Sequence, residues 1–93
     1  EPVAAIVEAE LLSCPGVADA AVLGQPDEEA GEVPVAFVVR APGAAVTEAD
    51  IAGHLGGLLA HYKQPKRVHF IDAIPKSASG KILRRVLRAQ LSA

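Results

Sequence analysis

The fold is decided by residues 17–40, which read VADAAVLGQPDEEAGEVPVAFVVR. Two apolar runs rich in valine and alanine, 17–23 and 33–39, flank a polar segment, 25–31, that contains proline and glycine. Such runs are typical of buried β-strands, and the polar segment is typical of a loop. Both alternating faces of the second run are apolar, so we expect that strand to be covered on each side of a sheet.

A helix is predicted upstream of these strands. Apolar residues recur three and four positions apart at Val3, Ile6, Val7 and Leu11, which is the spacing of one helical face. Pro15 should end this helix, because a proline cannot continue the backbone hydrogen-bond ladder.

A second helix is predicted after the strands, where Thr47 and Asp50 have the spacing of a capping box. Its apolar face is formed by Ile51, Leu55, Leu58, Leu59 and Tyr62. Two adjacent glycines, Gly56 and Gly57, would destabilise a helix by about 2 kcal/mol relative to alanines. We therefore expect close backbone packing or an irregular turn at that point.

The last third of the chain adds one strand, one loop and one helix. The strand is predicted at 68–71 and the small-residue loop at 75–80. The helix is predicted to start at Lys81 and to bury Ile82, Leu83, Val86, Leu87 and Leu91. The order α-β-β-α-β-α predicts an α+β fold, a small three-stranded sheet with helices packed on it, in a single domain over residues 1–93.

Composition supports a globular domain and limits its location. Hydrophobic residues make up 51% and charged residues 22% of the 93 positions, which excludes a disordered tail. The apolar stretches are far shorter than a membrane span, and no basic-then-apolar leader opens the chain. A single cysteine, Cys14, suits a reducing compartment, so we expect a cytoplasmic protein with no membrane span.

Charge is strongly segregated along the chain. Residues 1–61 contain ten acids and one base, whereas residues 62–93 contain eight bases and one acid. This asymmetry suggests that the last third faces an anion or an acidic partner, although it is also compatible with an idle dipolar surface.

The most informative stretch for function is 74–85, which reads IPKSASGKILRR. A lysine at a helix start is unfavourable, because the free N–H groups there already carry partial positive charge. Lys81 becomes sensible if an anion lies between its ammonium and those N–H groups, and Gly80 would let the backbone approach that anion. The alternative is a flexible loop with a solvated lysine.

A phosphate-binding P-loop is excluded for this stretch. That motif needs a glycine five residues before the Gly-Lys pair and a serine or threonine directly after it. Pro75 and Ile82 occupy those two positions, so the lysine would serve an anion that another part of the protein holds.

These residues resemble the closing motif of adenylate-forming enzymes. That superfamily comprises acyl- and aryl-CoA synthetases, beetle luciferases and the adenylation domains of nonribosomal peptide synthetases. The resemblance rests on Pro75-Lys76, Gly80-Lys81 and Arg84, preceded by Tyr62-Lys63-x-Pro65-Lys66. Weaker matches cover most of the chain: Pro15-Gly16-Val17, Pro26-Asp27, Gly31-Glu32 and Val35-Ala36-Phe37-Val38. The details are more similar to acyl-CoA and 4-coumarate-CoA ligases than to peptide synthetases.

The resemblance implies a mobile C-terminal cap domain of an acid–thiol ligase. Lys81 would bridge a carboxylic acid and the α-phosphate of ATP to form an acyl-adenylate, which CoA then converts to a thioester. Gly80 and, more weakly, Lys76, Arg84 and Lys63 are the other candidates for contact with these substrates. The resemblance also implies an acyl-CoA synthetase role in fatty acid metabolism and a lysine acetyltransferase acting on Lys81.

The same resemblance places the remaining machinery outside this chain. The ATP-binding loop, the Mg²⁺ ligands and the acyl pocket would belong to a large N-terminal domain, the partner of this one, and the hinge would lie upstream of Glu1. We therefore expect the isolated chain to be inactive and to hold no cofactor of its own.

The same residues are compatible with other functions to different degrees. A freestanding interaction module of the same fold and a peptide-synthetase fragment stay open. Nucleic-acid binding is disfavoured, because Tyr62 and Phe70 are the only aromatic residues of the basic third and the acidic part would repel a phosphate backbone. A metal site is not expected, since the histidines and Cys14 match no zinc spacing. The histidines lie at His54, His61 and His69.

Three arginines and two further lysines are compatible with several roles. They could form a solvated surface, a docking surface for a large domain, or a site for the phosphates of CoA. These residues are Arg84, Arg85, Arg88, Lys63 and Lys66.

Overall fold

The computed structural model describes residues 3–29, 31–60 and 63–91. Predictions that concern His61 and Tyr62 lie outside these residues. The elements are α1 (Val3–Leu12), β1 (Val17–Asp27), β2 (Gly31–Arg40), α2 (Glu48–Gly56), β3 (Arg67–Phe70) and α3 (Arg84–Leu91). The predicted α+β class and the order α-β-β-α-β-α are confirmed. None of the helices in these ranges has the length and apolar character needed to cross a bilayer.

The three strands form one sheet in the order β1-β2-β3. β1 and β2 pair antiparallel as a hairpin, whereas β2 and β3 run parallel, with Val35 opposite Arg67 and Val38 opposite Phe70. A parallel pair needs a long crossover connection, which here contains α2. Because it pairs with both other strands, β2 is the central strand.

Both faces of β2 are buried, as the sequence predicts for residues 33–39. Ala36 and Val38 pack with α1 and α2 on one face. Val35 and Phe37 pack with Ile74 and α3 on the other. The two faces alternate because successive side chains of a strand point to opposite sides.

The β1–β2 hairpin is longer than its apolar runs indicate. Backbone pairing continues from Gln25 opposite Val33 to Asp27 opposite Gly31, so most of the predicted loop at 25–31 is strand. Once the apolar residues have fixed the register, neighbouring polar residues can extend the ladder, because the hydrogen bonds come from the backbone.

α2 begins where its capping box predicts and ends earlier than its apolar face suggests. The Asp50 N–H donates to Thr47 Oγ1 at 3.1 Å, and the Thr47 N–H donates to Asp50 Oδ2 at 2.9 Å. The helix ends at Gly56, with Gly57 as its C-cap. The expected irregular turn is therefore present, but close packing at the glycines is not, because a Cβ on either would meet nothing within 4 Å.

The position of α3 corrects the sequence analysis. The helix begins at Arg84, not at Lys81. Residues 76–82 instead form a separate turn, because Lys76 and Ile82 pair as an antiparallel bridge. Lys81 therefore does not lie at a helix N-terminus, and the predicted anion site on helical N–H groups is wrong for this residue.

Candidate functional site: the Lys81 turn

A short hairpin formed by residues 76–82 carries Lys81. The Ser77 N–H donates to the Lys81 carbonyl at 2.9 Å, and the Gly80 N–H donates to the Ser77 carbonyl at 2.9 Å. This is the pattern of a three-residue hairpin loop whose last residue adopts a left-handed conformation. The Leu83 N–H donates to the Pro75 carbonyl at 2.9 Å and joins the base of the hairpin.

Gly80 occupies the left-handed position of that loop, with a φ of 86°. A residue with a Cβ pays a steric penalty in this region, and glycine does not. Space is not the constraint, because a Cβ at Gly80 would meet nothing within 4 Å. Turn geometry alone thus requires the glycine, and its approach to an anion stays a prediction.

Lys81 combines a fixed backbone with an unpaired head group. Its N–H donates to Ser77 Oγ at 3.2 Å, and its carbonyl accepts the Ser77 N–H. The residue is exposed. Its ammonium makes no ion pair or hydrogen bond with any of the residues that the structure describes. The hairpin therefore holds this cation at a defined place and leaves its charge available.

Arg84 has a different environment, although it lies only three residues further on. Its Nη1 donates to Glu8 Oε2 at 2.7 Å and to the Val22 carbonyl at 2.6 Å, and its Nη2 donates to Glu8 Oε1 at 3.3 Å. Hydrogen bonding to this carboxylate raises the pKa of the Arg84 guanidinium. Arg84 is thus engaged within the domain, and its contact with a substrate stays a prediction.

Glu8 also forms a hydrogen bond with the outer edge of the sheet. Its Oε2 accepts the Val22 N–H at 2.7 Å, while Arg84 binds the carbonyl of the same residue. The Glu8–Arg84 pair therefore satisfies both outward backbone groups of Val22 on edge strand β1, where no strand among the described residues pairs with them.

Asp19 and Lys76 form a second ion pair, at the start of the short hairpin. Asp19 Oδ1 accepts the Ala20 N–H at 2.9 Å, and Asp19 Oδ2 lies 2.7 Å from Lys76 Nζ. The two side chains are 30% and 39% exposed. Lys76, a weak candidate for substrate contact, is therefore already paired within the domain.

Most of the chain matches a known protein family. Residues 6–81 match the family model of the AMP-binding enzyme C-terminal domain. The chain belongs to this family. The matched segment ends at Lys81, so the AMP-binding C-terminal domain signature covers both strands of the hairpin, α2, β3 and the Lys81 turn.

Curated relatives of this AMP-binding C-terminal domain are CoA ligases. The chain is 55% identical over 87 residues to 4-coumarate–CoA ligase 2 of Nicotiana tabacum, covering 94% of this chain and 16% of that protein. It is 60% identical over 82 residues to 4-coumarate–CoA ligase-like 9 of Oryza sativa subsp. japonica, covering 88% of this chain and 15% of that protein. The chain thus spans about one sixth of the length of these relatives.

A solved structure with the same fold is the fatty acyl CoA synthetase of Mycobacterium tuberculosis. The TM-score is 0.85 and the identity 45%, over 96% of this chain and 18% of that one. ATP-bound MatB from Rhodopseudomonas palustris gives a TM-score of 0.86 at 39% identity, over 94% of this chain and 17% of that one.

The structure does not bring all the predicted site residues of this AMP-binding C-terminal domain together. Gly80 and Lys81 share one turn with Lys76. The segment from Lys63 to Lys66 instead joins the sheet at its far end, where the Lys66 N–H donates to the Pro34 carbonyl at 2.9 Å and Lys66 Nζ lies 3.1 Å from Asp27 Oδ1. Asp19 pairs with Val39 near the C-terminal end of β2, whereas Pro34 lies nearer the N-terminal end of that strand.

The sequence motifs do not reveal Glu8 and Asp19 as the partners of Arg84 and Lys76. Charge segregation was the available signal. In the described residues, each salt bridge joins an acid of the first 61 positions to a base of the last 32. Much of the opposite charge expected of an external partner is therefore supplied from within, whereas Lys81, Arg85 and Arg88 stay exposed.

Proposed function

We propose that this chain is the C-terminal domain of an ATP-dependent acid–thiol ligase and that it supplies Lys81 to acyl-adenylate formation. The observation that carries the proposal is the unpaired ammonium of Lys81 on a backbone fixed by the short hairpin. Membership of the AMP-binding enzyme C-terminal domain family and similarity to CoA ligases support it. Because the chain spans about one sixth of those relatives, the partner is a large N-terminal domain of the same enzyme.

In the first step, the carboxylate oxygen of the acid attacks the α-phosphorus of ATP, and pyrophosphate leaves as the bond to the α-phosphorus breaks. Both reactants carry negative charge, so their approach is electrostatically unfavourable. A cation 4 Å from a unit negative charge contributes about 4 kcal/mol at an effective dielectric constant of 20. Lys81 would lie between the carboxylate and the α-phosphate, acting by position and charge and not by proton transfer.

In the second step, the thiol of CoA, having lost its proton, attacks the acyl carbon and AMP leaves. The domain would rotate between the two steps and carry Lys81 away from the reacting atoms. ATP and CoA are substrates of the whole ligase, and Mg²⁺ would be bound by carboxylates of the N-terminal domain. Within this chain only the charge of Lys81 is assigned to the reaction, so the isolated chain is expected to be inactive.

The acyl substrate is proposed only as a carboxylic acid. The relatives named above include 4-coumarate–CoA ligases as well as a fatty acyl CoA synthetase, so fatty acid metabolism is one of several settings compatible with this domain. The proposal also includes a cytoplasmic location, where a lone buried thiol such as Cys14 stays reduced.

Lys81→Ala in the full-length ligase tests the proposal through the two half-reactions. Carboxylate-dependent exchange of pyrophosphate with ATP should fall by about 10²–10³-fold, the usual loss when one preorganised electrostatic donor is removed. Conversion of a preformed acyl-adenylate to acyl-CoA should continue at close to the normal rate.

Arg88→Ala is the matched control, because Arg88 is another exposed base in the same part of the chain. It should leave pyrophosphate exchange nearly unchanged, and a loss confined to thioester formation would favour a contact of Arg88 with the phosphates of CoA. The 93-residue chain alone should give only background exchange. Equal losses in both half-reactions for Lys81→Ala would mean that the lysine is structural or that the domain does not alternate.

A further inference from the structure

We propose that two ion pairs, Asp19–Lys76 and Glu8–Arg84, are positioning elements for Lys81. We call them the flanking ion pairs. This inference rests on the proposed function of Lys81 and deepens it, because it names the residues that hold the turn in place. None of these four residues is proposed to touch a substrate.

In the sequence, one flanking ion pair lies on each side of the turn. Lys76 begins the short hairpin and Arg84 begins α3, so Lys81 lies between two anchored residues. Hydrogen bonds inside the hairpin fix its shape, but they do not attach it to the rest of the domain. Ile82 packs against the apolar cluster that contains Phe37 and Leu87, and the side chains of Lys76 and Arg84 add polar attachments to Asp19 and Glu8.

Both ion pairs are anchored to the same strand. The carboxylate of Asp19 also accepts the N–H of Ala20, and the carboxylate of Glu8 also accepts the N–H of Val22. Each carboxylate is thereby oriented by the backbone of β1 before it meets its cation. Val22 is 1% exposed and Ala20 2% exposed, so the attachment leads directly into the buried core.

The two attachments differ in strength. The Glu8 side chain is only 14% exposed and takes part in two bonds to Arg84, with a further bond from Arg84 to the Val22 carbonyl. Charge-assisted bidentate contacts of this kind are strong and directional. Lys76 and Asp19 make a single, more exposed contact, which solvent weakens. We therefore expect Arg84 to contribute more than Lys76 to the position of the turn.

The proposal predicts that breaking either pair frees the turn without unfolding the domain. Backbone order parameters of the Gly80 and Lys81 amides in this chain should fall from the rigid value, about 0.85, towards about 0.6 in Arg84→Gln. Lys76→Gln should cause a smaller fall. The amides of Ala36 and Val38 in β2 should keep their values in both variants. Lys76→Arg, which keeps the charge, should behave as the native chain.

Activity in the full-length ligase provides the second measurement. Arg84→Gln should lower the rate of adenylation by about tenfold, less than the 10²-fold that a displacement of 1 Å can cause. Lys76→Gln should lower it by a few fold, and Lys76→Arg should restore it. The thioester half-reaction should change little, because Lys81 is not used there.

The outcomes separate this proposal from the function assigned to Lys81. Unchanged order parameters in Arg84→Gln would overturn the positioning role whatever the activity. A loosened turn with normal adenylation would also overturn it, provided that Lys81→Ala impairs adenylation in the same assay. If Lys81→Ala has no effect, the proposed function fails, and the order parameters still decide whether the flanking ion pairs hold the turn. Equal losses in both half-reactions would reduce Arg84 to a structural residue.

Discussion

The domain contains two hairpins that are held in different ways. The long hairpin, β1–β2, pairs from Val17 opposite Arg40 to Asp27 opposite Gly31 and is buried on both faces of β2. The short hairpin, residues 76–82, has one bridge and mostly exposed residues. The first is stabilised mainly by burial, whereas the second has internal hydrogen bonds, a glycine at a left-handed φ, a contact of Ile82 with the core and ion pairs on either side. The position of Lys81 can therefore be changed with little effect on the core.

Phe37→Ala should have the largest effect on stability. Phe37 lies in the long hairpin, is 2% exposed and stacks on His69 with ring centroids 5.2 Å apart. Removing a buried phenylalanine side chain typically costs about 3–5 kcal/mol through lost contacts and the cavity left behind. Urea unfolding should show this loss.

Leu58→Ala is the control for that experiment, because Leu58 is 52% exposed and should change the free energy of unfolding by less than about 0.5 kcal/mol. A loss of similar size in the two variants would contradict the view that burial holds the long hairpin.

Gly80→Ala should have an intermediate effect that is confined to the short hairpin. Alanine at a left-handed φ costs about 1–2 kcal/mol, and no steric clash adds to it, because the space around Gly80 is open. We expect the order parameters of the Ser77 and Lys81 amides to fall, with a decrease in adenylation by the full-length ligase.

Gly80→Asn is the matched variant, because asparagine tolerates left-handed φ better than alanine does. It should retain more of the turn and more of the activity. If alanine and asparagine gave the same result, backbone conformation would not be the reason for the glycine.

Acetylation of Lys81 should have the smallest effect on stability. The side chain is exposed and unpaired among the described residues, so losing its charge should change the free energy of unfolding by less than about 0.5 kcal/mol. It should nevertheless block adenylation, because acetylation removes the positive charge. Incubation with a lysine acetyltransferase and acetyl-CoA, followed by mass spectrometry, tests it. Modification of Lys63 or Lys66 with Lys81 untouched would count against it.

Local patterns in the sequence predict the elements better than their ends. The apolar run 33–39 predicts a strand with two covered faces, and Thr47 with Asp50 predicts the start of α2; both predictions are confirmed. The long hairpin extends further because backbone pairing does not depend on apolar side chains. α3 starts later than predicted because residues 76–82 form hydrogen bonds with each other. The apolar residues at 82 and 83 fit helical spacing and give no sign of these hydrogen bonds.

The candidate site is only partly visible in the sequence. Gly80 and Lys81 stand in a recognisable local motif, whereas the partner of Arg84 lies 76 positions away. Nothing in the spacing of Glu8 indicates that contact, because it depends on how α1 and α3 meet the edge of β1. Segregation of charge along the chain predicts that acids and bases attract each other, but it does not predict which pairs form.

The contact between Glu8 and Arg84 also has a consequence for synthesis on the ribosome. Glu8 and the strand that it borders are synthesised before Arg84 and before the α3 residue Leu87, which packs in the same apolar cluster as Phe37. Until then the outer edge of β1 lacks its guanidinium partner at the Val22 carbonyl, and part of the apolar face of the sheet is open. Open edges and uncovered apolar faces favour aggregation of nascent chains. Synthesis of α3 thus closes the period in which the domain is most vulnerable.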